Sequence, residues 1–323
     1  MNWHPLGWIR ALRDLWRSSK DWRGSWVLIQ YTALAWSRRG FPFGALAVLA
    51  ILRRRGVRCA VVFHDPFRQY GTRASSYFRG VFQDWVIRRM YARADKCIFL
   101  DPLHTISWLA GDTTKSTFIP IGANVPERAP SDIDTLNSCG EIPAVAVFCL
   151  SGTPYLQGEL QDIACAARSA MAEGARFRLV FLGRGTAEAR EKIKQLFRDI
   201  AMEVSILGLL PAAEVSDALA KCTAMLCVRG SIYPRRGSAI AGIACGLPVL
   251  GYAGGAEGTH LAEAGLVLVP YRDATALGKS LARVLKNRDL QQELRRRSTE
   301  AQQNYFSWEL IGAAYAKFLE AAP

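Results

Sequence analysis

The sequence predicts an α/β protein of two parallel-sheet domains with a cleft between them. Its 323 residues exceed what one hydrophobic core usually serves. Short apolar, β-branched runs alternate with longer helical patterns, as in βαβ units. A polar, proline-bearing stretch from Pro126 to Glu141 interrupts that alternation once, as an interdomain linker does. One large barrel is the alternative that length leaves open. A composition of 50% apolar and 21% charged residues excludes disorder, collagen-like repeats and small disulfide scaffolds.

The elements follow in order. Residues 1–26 read as a basic, Trp-rich amphipathic helix. The first domain, 27–128, carries a strand at 27–31, a helix at 44–55, a strand at 58–63, a helix at 79–94, and strands at 97–100 and 117–121. A linker is placed at 129–142. The second domain, 143–304, opens with a strand at 144–150, a helix at 159–173, a strand at 177–182, a helix at 186–200 and a strand at 204–207. A helix at 212–221, a strand at 224–228, a helix at 238–245, strands at 248–251 and 266–269, and a helical run at 274–301 complete it. A final helix within 305–323 is able to cross back to the first domain.

The formal net charge of +13 favours anionic partners: nucleotide, nucleic acid or anionic lipid. No helix-turn-helix, zinc-finger or RNP-type pattern is present, so nucleic acid is not expected. The eight cysteines lie mostly in apolar runs without metal spacing, which points to the reducing cytoplasm. No apolar run reaches the length of a spanning helix. Trp3, Trp8, Trp16, Trp22 and Trp26 interleave with Arg10, Arg13, Arg17, Lys20 and Arg23, and Ile9, Leu12 and Trp16 share one helical face. Such a helix either lies on an anionic membrane surface or covers a sheet with its apolar face. The first gives a peripheral protein on the inner face of the cell membrane.

The densest chemical signal runs from Arg229 to Val249. A strand end leads into the turn Arg235-Arg236-Gly237-Ser238, then a helix and another strand. Amides of Gly237 and Ser238 at a helix start, with two arginines beside them, suit a phosphate group. A basic surface loop ahead of a core helix is the plainer reading.

With Gly246-Leu247-Pro248-Val249 and Gly254-Gly255-Ala256-Glu257, this segment resembles the donor-binding half of retaining GT-B glycosyltransferases, glycosyltransferase family 4 (glycosyl transferases group 1). Val61-Val62-Phe63-His64-Asp65, Phe118 to Val125 and Phe181-Leu182-Gly183-Arg184-Gly185 resemble other landmarks of that family in the same order. The resemblance implies two Rossmann-like domains facing a central cleft, the first incomplete, and transfer of a sugar from a nucleoside-diphosphate donor. By resemblance His64 and Asp65 fall at the transferred sugar and Glu257 near the donor; from the residues themselves Gly152, Thr153, Arg184, Arg235, Arg236, Gly237 and Ser238 are read as donor-binding, Arg229 as catalytic and Asn124 as facing the cleft. The acceptor the resemblance implies is a saccharide or lipid-linked group in cell-envelope or exopolysaccharide assembly. No cofactor or metal is expected; arginines and helix-start amides would meet the leaving diphosphate.

The departures from the family pattern point elsewhere. Its two glutamates, eight positions apart, are replaced by Tyr233 and Ala241, and its basic pair after the donor domain's first strand by Ser151 to Gly158. The family's opening strand and glycine-rich loop are missing, so the shortened sheet would offer an edge to a protein partner. A catalytically silent, membrane-associated relative is therefore the second reading, and a nucleotide-sugar epimerase a third. His4, His104 and His260 lack a chemical context.

Overall fold

The computed structural model describes residues 5–68, 74–109, 111, 113–128, 142–256 and 258–321. It divides into two units, Met1–Pro120 with Gly312–Pro323, and Ile121–Ile311. The linker expected at 129–142 lies outside the described residues save for Ile142.

The first unit is built on a parallel sheet ordered β1-β2-β3-β4: β1 (Trp26–Tyr31), β2 (Arg58–Phe63), β3 (Lys96–Phe99) and β4 (Ser116–Phe118). In register, Val61 of β2 sits between Ile29 of β1 and Cys97 of β3. Alternation along each strand sends Cys59, Val61 and Phe63 to one face. There they meet Leu49 and Leu52 of α3 (Phe43–Arg54) and Val86, Ile87 and Met90 of α4 (Ala74–Arg93). Phe63 and Phe99 stack with ring centres 4.9 Å apart. β4 stops at Phe118, earlier than the sequence suggested, because Pro120 has no N–H to continue the ladder after Ile119 bonds Phe99. Among the described residues β1 has β2 as its sole strand neighbour and forms the sheet edge. The one-turn α2 (Ala33–Trp36) reaches back to it, the Trp36 Nε1–H donating to the Gln30 carbonyl at 2.8 Å.

The N-terminal helix α1 (Pro5–Ser18) packs differently from the sequence expectation. Trp8, Leu12 and Leu15 turn inward, whereas Ile9 and Trp16 are exposed. Trp8 stacks on Trp36 and lies against Gly44, where an added Cβ would meet its ring at 2.2 Å. Trp16 is capped by the Arg55 guanidinium, 3.8 Å from its ring centre. The helix thus spends one face on α3.

The second unit holds a six-stranded parallel sheet, β10-β9-β8-β5-β6-β7. Its strands are β5 (Ala144–Phe148), β6 (Arg178–Leu182), β7 (Val204–Gly208), β8 (Ala224–Ser231), β9 (Val249–Tyr252) and β10 (Leu266–Val269). The near-continuous apolar runs of β5, β6, β8 and β9 reflect burial on both faces. One face carries α5 (Leu156–Ala172) and α9 (Ala274–Lys286), which cross at Gly278, where an added Cβ would meet the Ala166 carbonyl at 2.3 Å. The other carries α7 (Ala212–Ala220) and α8 (Gly237–Ala244).

Three differences from the sequence reading have local causes. The helix expected at 186–200 shrinks to α6 (Arg190–Phe197), since Thr186 Oγ1 bonds the Gly183 carbonyl and holds residues 183–189 in turns. β8 runs on to Ser231 through a register shift after Cys227. The helical run at 274–301 breaks at Asn287, whose Oδ1 accepts the Leu290 N–H and caps α10 (Arg288–Ala301). After a π-helical turn at Gln302–Phe306, the last helix α11 (Trp308–Glu320) ends in the first unit. Among the described residues no helix is long and apolar enough to cross a membrane.

Candidate functional site

At the carboxyl ends of β5, β6 and β7, where ligands of open parallel sheets gather, the second unit has a cavity of about 460 Å³. Strand ends are knitted together around it. The Cys149 N–H donates to the Leu182 carbonyl at 2.9 Å, Leu150 to Arg184 at 2.8 Å, and Gly183 to Gly208 at 2.7 Å. This close approach explains the glycines. Gly183 has φ +87 and an added Cβ would strike Cys149 and Phe148; Gly185 has φ +83 and would strike the Leu150 carbonyl oxygen at 2.6 Å. Arg184, held between them, lines the cavity.

Three more arginines reach the same space. The register shift in β8 re-aims Arg229, and its Nε–H donates to Ser151 Oγ at 3.3 Å. Arg235 and Arg236 enter from the turn before α8, both guanidinia lying over the Tyr233 ring, at 5.1 and 4.4 Å from its centre. Arg236 is also pinned by two bonds to the Ser231 carbonyl. Gly237, Ser238 and Asn124 add polar groups to the wall, and Phe148, Leu209, Leu210 and Val215 add apolar ones. Among the described residues no carboxylate lines it. The Cys149 thiol is pushed up by burial, against the Arg184 amide and the Arg229 and Arg184 charges, which pull it down. The cavity therefore combines four cationic donors with a set of apolar side chains.

The amides of the α8 start are less open than the sequence suggested. Gly237 N–H already donates to the Arg235 carbonyl, and Ala239 N–H to Arg236; among the described residues no such bond takes up Ser238 N–H. Ser238 Oγ lies 3.6 Å from Cys227 Sγ.

Arg229 also borders a second cavity, of about 230 Å³, with Ser151, Glu159, Asp162 and Tyr252. Glu159 is buried and accepts the Ser151 N–H at 2.8 Å; Asp162 accepts the Tyr252 hydroxyl at 2.9 Å.

Arg184, Arg229, Arg235, Arg236, Gly237, Ser238 and Asn124 are thus brought together. Gly152 and Thr153 are not: they sit exposed on the loop after β5, outside the cavity wall. Glu257 lies outside the described residues. His64 and Asp65 end β2 in the first unit; the His64 Nε2 pairs with Gln30 Oε1, and the Asp65 charge adds to burial in raising the Tyr31 hydroxyl. His260 stacks on Tyr305 at 4.1 Å and lies 3.7 Å from the Glu263 carboxylate, away from the cavity. Ala241 is fully buried within α8. The apolar lining was missed, although Leu209-Leu210-Pro211 directly after a strand is a readable signal. Among the described residues no three metal-ligating side chains gather.

Residues 148–287 match the family model described as glycosyl transferases group 1. No curated protein matches the sequence. Among solved structures, Anabaena HepE in complex with UDP is similar at TM-score 0.68 and 14% identity, over 99% of this chain and 85% of that one. A glycosyltransferase from Rickettsia africae is similar at TM-score 0.65 and 14% identity, over 100% and 84%. S. aureus TarM, solved with fondaparinux, alpha-GlcNAc-glycerol and UDP, is similar at TM-score 0.62 and 12% identity, over 86% of this chain and 54% of that one. The chain spans about half the length of TarM. Its fold is that of the GT-B glycosyltransferases, two parallel-sheet α/β units, and its second unit carries the group 1 segment.

Proposed function

We propose that the chain transfers a sugar from a nucleoside-diphosphate donor to a saccharide or lipid-linked acceptor, with retention of anomeric configuration, in cell-envelope or exopolysaccharide assembly. The cavity lined by Arg184, Arg229, Arg235 and Arg236 together with Leu209, Leu210 and Val215 carries this reading. The diphosphate takes the arginines and the base the apolar side chains. As the bond from the sugar's anomeric carbon to phosphate breaks, the leaving diphosphate keeps the electron pair. Fixed guanidinium groups stabilise that charge without reorganising. The acceptor oxygen bonds the anomeric carbon from the same face, and its proton passes to the departing phosphate oxygen. His64 and Asp65 are assigned to the transferred sugar, and Glu257 to the donor, by family pattern.

HepE and TarM, both solved with UDP, support a uridine nucleotide as the first donor to try. One observation favours the second reading, a silent relative. The two positions that carry glutamates in the family hold Ala241, sealed in the core, and Tyr233, whose ring is covered by two arginines.

Calorimetric titration of the full chain with UDP, GDP, ADP and TDP, each with and without Mg²⁺, tests the site. Micromolar binding of one nucleotide supports it, and no binding by any overturns it. Transfer from the matching sugar nucleotide then separates enzyme from silent relative, and the anomer of the product tests retention.

A further inference from the structure

The positive charge of this chain is concentrated in one unit. Residues 1–120 carry nineteen Lys and Arg against seven Asp and Glu, whereas residues 121–311 carry twenty-one against twenty. The donor cavity therefore does not account for the excess. The first unit also wears an unusual surface. Helix α4 buries Gln83, Val86, Ile87 and Met90, yet its opposite stripe, at helical spacing, is Tyr77, Phe78, Val81 and Trp85. Phe78 is 71% exposed and Tyr77 65%. A helix apolar on both faces has a second apolar environment to meet.

The stripe is continuous with the start of α3. Phe43, 58% exposed, and Phe41 lie 4.3 and 5.4 Å from the ring centre of Phe82, which lies 5.7 Å from Trp85. Trp8 packs on Gly44 beside Phe43. Exposed arginines border the aromatics: Arg38 and Arg39 before Phe41, and Arg88 and Arg89 one turn after Trp85. Asp84 is the carboxylate within the α4 stripe, and it is paired with Arg68 at 3.5 Å.

We propose that this rim, Phe41, Phe43, Phe78, Val81 and Trp85 with its arginine border, is the surface by which the chain sits on an anionic phospholipid membrane. Aromatic rings take the headgroup boundary and the guanidinium groups take lipid phosphates. A second copy is disfavoured as occupant, because two such strongly cationic faces repel. The placement deepens the proposed use of a lipid-linked acceptor. It places the membrane contact on α3 and α4, where the sequence expectation put it on residues 1–26, of which α1 commits Trp8, Leu12 and Leu15 to the protein.

Sedimentation of the full chain with vesicles tests it, using mixed phosphatidylglycerol and phosphatidylcholine against phosphatidylcholine alone. The expected result is binding to the anionic vesicles that falls about tenfold in Phe78→Ser with Trp85→Ser, and about as much in Arg88→Ser with Arg89→Ser. Circular dichroism and nucleotide titration confirm that each variant folds; if the first pair unfolds, Tyr77→Ser with Val81→Asn replaces it. Absence of vesicle binding overturns the proposal. So does binding that the variants leave unchanged, or a dimer in light scattering that the variants dissolve while vesicle binding persists. Because vesicle binding and nucleotide binding are read separately, failure here leaves the donor-site reading standing, and the reverse holds.

Discussion

The Arg236 guanidinium lies 4.4 Å from the centre of the Tyr233 ring while its Nε and Nη2 both donate to the Ser231 carbonyl. Tyr233 thus presents a flat ring that fixes the direction of two cations. Arg235→Ala with Arg236→Ala is expected to weaken nucleotide binding by at least about 1.5 kcal/mol. Tyr233→Ala should cost about 1 kcal/mol through lost orientation, and Tyr233→Phe almost nothing, since the ring remains. Calorimetric titration reads all three. Equal affinity in Tyr233→Ala and the parent chain would remove the ring from the site.

The turn that presents Arg184 tolerates no side chain at its second glycine. Gly185→Ala combines φ +83 with a Cβ placed 2.6 Å from the Leu150 carbonyl oxygen. A loss of about 1–3 kcal/mol of stability is expected, with weaker nucleotide binding as Arg184 shifts. Gly152→Ala is the control: nothing lies within 4 Å of its added Cβ, so thermal unfolding should be unchanged. Weaker nucleotide binding in that stable variant would bring Gly152 to the donor after all.

Much of this was legible because the signals are local. Apolar runs fix β2, β6 and β10 nearly to the residue, and the arginine turn announces itself in consecutive positions. What escaped depends on strands far apart in sequence. That Leu209 and Leu210 share a cavity with Arg235 follows from β7 and β8 flanking β5 and β6 in the order β8-β5-β6-β7, which no local pattern encodes. The inward face of α1 was misread because Ile9, Leu12 and Trp16 fit a helical stripe as well as Trp8, Leu12 and Leu15 do. Docking on Gly44 chose between them.

The C-terminal helix is fastened by a buried cation. Lys96 of β3 is 5% exposed, and its Nζ donates to the carbonyls of Phe318 and Ala321, the latter at 2.6 Å, while lying 4.8 Å from the Phe318 ring centre. A cation at the carbonyl end of a helix also meets its dipole favourably. Lys96→Met should cost about 2 kcal/mol in urea unfolding and hasten proteolysis within α11. An unchanged urea midpoint would show that water serves these carbonyls equally well.

Buried thiols, Cys227 among them, shape the response to alkali. Burial pushes Cys97 and Cys222 up to about 12, and Cys59 and Cys245 to about 11, from an ordinary value of 9.0. Above about pH 9 the unfolded chain therefore releases protons that the folded chain retains, so stability falls as pH rises toward the folded values. Each thiol removes up to about 1.4 kcal/mol per pH unit in that window. The urea midpoint is expected to be markedly lower at about pH 10 than at about pH 8, and the drop to be smaller in Cys97→Ala with Cys222→Ala. The comparison must be made in reductant, so that disulfide formation in the unfolded chain does not mimic the effect. An equal drop in the double variant would mean that other groups, such as the Tyr31 and Tyr252 hydroxyls that burial also raises, carry the alkaline loss.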